Sequence, residues 1–198
     1  MKNLLAFFLI SSLLIACSLN DQTIILMTKG EATVDLNAGT IQAKDGAGHE
    51  EKLVALNKAD ISFKLNTPAG EATVQLKENG LYIINVKNDT IIGSYQQYSS
   101  AGQAQKVITQ ESLVQKIDSL QQLSQGKNVS AANRNFFILP NQATFITANA
   151  QAQVVGPYHQ MRSAEKIDGK DPEIYRFYSI KEIREMITKL QALTVAPE

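Results

Sequence analysis

The chain has no tryptophan and only one cysteine, Cys17, in 198 residues. A single thiol excludes an internal disulfide and any metal site built from several cysteines. Histidine is scarce too, with only His49 and His159. Carboxylates would have to complete a zinc shell, and no ligand spacing is visible. Neither sign of charge is in excess: 19 lysines and arginines face 19 aspartates and glutamates. A neutral chain without a basic block argues against nucleic acid as a partner. The lack of tryptophan weakens a carbohydrate-stacking role. Catalytic signatures are missing as well. His49-Glu50-Glu51-Lys52-Leu53 opens like the zinc-protease helix motif but has Leu53 where the second histidine must stand. Gly46-Ala47-Gly48 lacks the third glycine and the helix of a dinucleotide loop. No phosphate loop and no Gly-x-Ser-x-Gly elbow occurs. The sequence therefore assigns no cofactor, no metal ligand and no catalytic residue.

One long apolar run is present, at the start. Met1-Lys2-Asn3 opens with a positive charge, and Leu4 to Ala16 follows, interrupted only by Ser11 and Ser12. This run is shorter than the roughly 20 residues a bilayer crossing needs, and it has the length of the apolar part of a secretion signal. It ends in Leu14-Ile15-Ala16-Cys17, which resembles the lipobox of bacterial lipoproteins: aliphatic residues, a small residue, then the lipidated cysteine. The resemblance covers the signal alone. It implies cleavage before Cys17, attachment of a diacylglycerol with palmitate-type chains to the Cys17 thiol, and a protein held at the cell envelope. Two or more acyl chains, at about 0.8 kcal/mol per buried CH₂, anchor stably where one does not. Ser18 after the cysteine resembles outer-membrane sorting, so the expected place is the outer membrane, facing the periplasm. Residues 1–16 are then a signal peptide and 17–22 a lipidated tether.

The remainder predicts an α+β protein. Residues 23–98 form a β-rich region of antiparallel hairpins, sandwich- or barrel-like. Residues 99–198 form a mixed region with a helix, short strands and a C-terminal amphipathic helix, either separate or part of one domain with the preceding region. Ala32, Val34 and Leu36 alternate with polar residues, as do the residues of Ile61 to Leu65. Thr40 to Ala43, Lys52 to Leu56, Leu81 to Val86 and Thr90 to Tyr95 are further strands. Asn79-Gly80 reads as a hairpin turn. Gly30-Glu31-Ala32-Thr33-Val34 recurs as Gly70-Glu71-Ala72-Thr73-Val74 and predicts two related hairpins inside one sheet-based domain. Residues 99–107 read as a linker. A helix is expected over Thr109 to Gln125, stopped by Gly126. Short strands follow at Phe136 to Leu139, Thr144 to Thr147 and Gln153 to Val155, then a long loop from Pro157 to about Glu173. Ser179-Ile180-Lys181-Glu182 matches a capping box, flanked by Tyr178 and Ile183 in staple positions. The stripe Ile183, Met186, Ile187, Leu190 and Leu193 is expected to pack on the protein's own sheet.

The one polar, aromatic-flanked segment is this long loop. Tyr158, His159, Arg162, Asp168 and Asp171 are its candidate binding residues, since long loops in compact domains are often functional. Three carboxylates within Asp168 to Glu173 suit calcium in type, but Lys170 sits among them and the regular ligand spacing is missing. Asp-Gly and Asp-Pro form turns, which is the expected reading. With the anchor, the chain reads as a non-catalytic envelope protein that binds or scaffolds another envelope component. Its partners are the membrane, through the lipid, and an envelope protein. The alternatives are a lipid-anchored hydrolase with dispersed Ser, Lys or carboxylate groups, and a small-ligand binder with a cavity between sheets.

Overall fold

The computed structural model describes residues 22–58, 60–98, 109–157, 164–167 and 169–194. The signal, Cys17 with most of the tether, and the linker at 99–107 lie outside them, as do Tyr158, His159, Arg162 and Asp168.

A middle sheet consists of β1 (Gln22–Thr28), β4 (Glu50–Leu56), β7 (Gly80–Asn85) and β10 (Ala143–Thr147), in the order β10-β7-β1-β4. One outer sheet is β2 (Ala32–Asp35), β3 (Thr40–Ala43), β5 (Ile61–Thr67) and β6 (Gly70–Leu76), in chain order. The other has the order β11-β12-β8-β9, from β8 (Ile91–Gln96), β9 (Asn135–Ile138), β11 (Gln153–Val155) and β12 (Ile174–Ser179). Helices α1 (Gln110–Ser124) and α2 (Ile180–Thr194) cover the outside of this last sheet.

Hydrophobic patterning explains the order of the layers. β1 and β7 are nearly continuous apolar runs because both faces of the middle sheet are covered. Ile24, Leu26, Tyr82 and Ile84 point to the first outer sheet and meet Ile41, Phe63, Leu65 and Leu76. Ile25, Met27, Leu81 and Ile83 point the other way, into a core with Ile91, Phe136, Ile138, Tyr175 and Phe177. β5 and β6 alternate because only one face is buried. Ile92, Phe137 and Tyr178, on the far face of the second outer sheet, pack with Leu113, Ile117, Leu120, Ile183 and Ile187 of the helices.

The protein is thus α+β, with a β-rich first part, then a helix, short strands and a C-terminal helix. The described residues form a stack of open sheets with no closed barrel. Hairpins alone do not build it: β1–β7, β3–β5 and β11–β12 are parallel pairs. The stretches on either side of residue 98 interleave, since β10 pairs with β7 and β8 lies between β12 and β9. Gln22, the last residue of the expected tether, is buried at the head of β1. No helix of the described residues is long and apolar enough to cross a membrane.

Both helices form where the sequence predicts. Thr109 caps α1, its hydroxyl accepting from the Ser112 N–H, and Gly126 follows with φ +69°. At α2 the Ser179 N–H donates to the Glu182 carboxylate at 2.7 Å, and the Glu182 N–H donates to Ser179 Oγ at 3.2 Å. Ile183 and Ile187 are buried, with Met186 and Leu190 beside them. The stripe ends early, because Leu193 stays largely exposed.

Other expectations are corrected. Asn79-Gly80 does not make a hairpin, because β6 and β7 belong to different sheets. Gly80 instead takes φ +133° and lets its backbone run against Thr147 and Ala148. The two Gly-Glu-Ala-Thr-Val copies do share a sheet, but they form its opposite edges, β2 and β6. β2 pairs with the strand after it and β6 with the strand before it. Their glycines differ in purpose: Gly30 lies backbone to backbone with Gly46, whereas Gly70 supplies a turn at φ +105°. Residues 174–179, to which the sequence assigns no strand, form β12 between β11 and β8, just past the expected end of the loop near Glu173.

Candidate functional site

The chain leaves the middle sheet at Asn85 and turns toward β8. Asn85 is fully buried and fixes that turn: its Nδ2 donates to the Asp89 and Ile138 carbonyls, and its Oδ1 accepts from the Lys87 N–H. This places the Lys87 side chain inward, only 3% of the residue being exposed. Its Nζ lies 2.6 Å from His49 Nδ1, and His49 Nε2 lies 2.7 Å from Glu51 Oε1. His49 and Glu51 are two apart on the strand that becomes β4, so both point to the same face. Gly156, just past β11, closes over them: a Cβ there would stand 3.3 Å from His49 Nε2 and collide with the Glu51 carboxylate.

The chemistry of this unit follows from its donors. A lysine ammonium has no acceptor, so Lys87 donates to His49 Nδ1, and the remaining N–H at Nε2 donates to Glu51. Burial pushes the Lys87 ammonium below the usual lysine range. Glu182 and Glu51 pull the other way, Lys29 adds to the lowering, and Asp89 opposes it. The partners of His49 are an amine and a carboxylate, so the unit holds a buried charge and is not a Ser–His or Cys–His pair. A groove of about 760 Å³ runs beside it, between Thr28–Thr33 and Ala47–Leu53, with His49 and Glu51 in its wall.

A second cluster joins the ends of four strands. Arg134, in left-handed conformation at φ +52°, stacks its guanidinium over the Tyr95 ring, 3.6 Å from the ring centre. It donates to the Tyr175 hydroxyl at 2.9 Å and pairs with Glu173. Tyr175 donates to the same carboxylate at 2.6 Å, and the Thr147 hydroxyl donates to its other oxygen at 3.1 Å. Burial pushes the Glu173 carboxyl up. Hydrogen bonds from Tyr175, Asn149 and Thr147, with the Arg134 charge, outweigh this and hold it below the usual range. Burial, then the bond to Glu173, raises the Tyr175 phenol. Arg134, Tyr175 and Thr147 all direct donors at the Glu173 carboxylate, which reads as a clamp on β8, β9, β10 and β12.

Of the sequence-predicted loop residues only Asp171 is described. It is exposed and lies 3.8 Å from Lys166. The backbones of Ile167 and Lys170 bond reciprocally around a tight turn, with Gly169 at φ +77°. Among the described residues no group of three or more His, Cys, Asp or Glu is placed to hold a metal ion. Sequence reasoning missed both clusters. The available signals were a lysine ending the apolar run of β7, and His49 and Glu51 at strand spacing. Comparison of the chain with protein-family models, curated proteins and solved structures finds no match.

Proposed function

We propose that this is a lipid-anchored envelope protein that binds or scaffolds another envelope component without catalysing a reaction. The observation that carries the reading is Leu14-Ile15-Ala16-Cys17 at the end of a signal-length apolar run. The first strand begins at Gln22, so only 18–21 separate the lipidated residue from β1. At roughly 3.5 Å per extended residue, the folded part sits within about 20 Å of the lipid. Ser18 after the cysteine supports an anchor in the outer membrane, facing the periplasm. The non-catalytic half of the reading rests on the sequence, in which no catalytic motif stands in its required context.

The test is Cys17→Ser. Lipid labelling with a palmitate analogue and membrane retention are expected to disappear, and precursor to accumulate. A variant that still matures and stays with the membrane refutes the anchor. Crosslinking in intact envelopes, followed by purification of the native protein, is expected to bring down one recurrent envelope protein.

A further inference from the structure

We propose that Lys87 and His49 share a single positive charge and form an acid-sensitive latch that holds the exit of β11 against β4. The inference rests on side-chain geometry alone and is independent of the lipid anchor.

At 2.6 Å, Lys87 Nζ and His49 Nδ1 can hold one proton between them in two ways. Either an ammonium donates to a neutral imidazole, or an imidazolium donates to a neutral amine. Both arrangements carry one positive charge, and the Glu51 carboxylate at Nε2 balances it. The unit is neutral, which makes it tolerable with the His49 side chain 5% exposed. One more proton gives an ammonium facing an Nδ1–H, two cationic donors with no acceptor between them. Two like charges at that separation disfavour each other strongly in a buried site.

The second proton therefore breaks the Lys87–His49 contact. Imidazolium His49 keeps Glu51, and Lys87 turns to the other carboxylates around it. These are Glu182 in the first turn of α2 and Asp89 in the turn before β8, with Lys29 opposing from the end of β1. The seam that loosens is the one Gly156 makes, since its backbone lies directly on the His49 and Glu51 side chains. The wall of the adjoining groove changes at the same time, because His49 and Glu51 form part of it. Acid thus opens the molecule locally, at one end of the β4–β11 side.

Hydrogen exchange read by mass spectrometry tests this, with rates corrected for the intrinsic effect of pH. In the unmodified protein, segments 49–54 and 152–157 are expected to lose protection about ten-fold between about pH 8 and about pH 5, while 22–28 and 80–85 keep theirs. His49→Gln is the decisive variant. Its Oε1 can accept from Lys87 and its Nε2 can donate to Glu51, but it cannot take the extra proton. The variant is expected to hold protection at both pH values. Equal loss in His49→Gln overturns the proposal and assigns the effect to Glu51, Asp89 or Glu182. An unmodified protein with no pH-dependent loss overturns it too. ¹⁵N spectra of the unmodified protein give a check that needs no substitution: a neutral imidazole protonated on Nδ1 alone is incompatible with the latch.

Discussion

Phe177 of β12 lies directly across from Gly93 of β8, and its ring fills the space that a side chain at position 93 would take. The pair sits in the core between the middle sheet and the helix-covered sheet, where Phe177 is fully buried. Gly93→Ala is therefore expected to force the ring from its place and destabilise the protein by about 1–3 kcal/mol. Thermal or denaturant unfolding measures this. Adding Phe177→Leu to the same chain should recover part of the loss, because the two sites are coupled. An unchanged unfolding midpoint in Gly93→Ala would contradict this seating of the ring.

Ser179→Ala removes the acceptor for the Glu182 N–H at the start of α2. A loss of about 1 kcal/mol is expected, from an N-cap hydroxyl of ordinary strength. Circular dichroism through a denaturant titration is the measurement. Ser179→Asp restores an acceptor and should retain most of the stability.

The clamp around Glu173 sets a limit on the acid side. Its carboxyl is held below its unfolded value of 4.5. The unfolded chain therefore binds the proton more readily, and stability falls as pH drops through the folded value. Glu173→Gln should lower the melting temperature at neutral pH and flatten its decline between about pH 5 and about pH 3. A variant that melts with the same acid profile as the parent would assign that decline to other carboxylates.

On the alkaline side two groups oppose each other. Lys87 is lowered from 10.5, so the unfolded chain keeps that proton longer. Its contribution makes stability rise with pH from the folded value up to 10.5. Tyr175 is raised from 10.0, so its contribution is intact below that pH and is lost as pH climbs through the folded value. Lys87→Met should abolish the rise, and Tyr175→Phe should blunt the fall. Melting temperatures between about pH 8 and about pH 11 separate them. Identical profiles for parent and Lys87→Met would show that the ammonium is not held in a desolvated place.

Some of this was written locally in the chain and some was not. The capping box at Ser179 and the Gly126 stop after α1 are local signals, and both helices stand where those signals put them. Strand β12 was hidden because Ile174-Tyr175-Arg176-Phe177 does not alternate: Tyr175 and Phe177 face one core, yet Ile174 is buried too, in a cluster with Val155 and Ala164. Asn79-Gly80 misled because a glycine that permits a turn also permits backbones to touch, and here the second property is used. The Lys87–His49 contact spans 38 residues and the Arg134–Tyr175 contact 41, separations at which no periodicity reaches. Neither cluster could be assembled before the order of the sheets was known.

The position of β1 has a mechanical consequence. It is the strand nearest the N-terminus, yet it is flanked on both edges, antiparallel to β4 and parallel to β7 along nearly its whole length. A pull entering through residue 22 runs along the strand and across two hydrogen-bonded ladders that lie perpendicular or slanted to it. A pull along the strand shears both ladders at once, where a strand at a sheet margin would present one. The chain thus carries load at its first described residue through a strand enclosed on both edges, and the buried hydrophobic layers on either side of β1 resist with it.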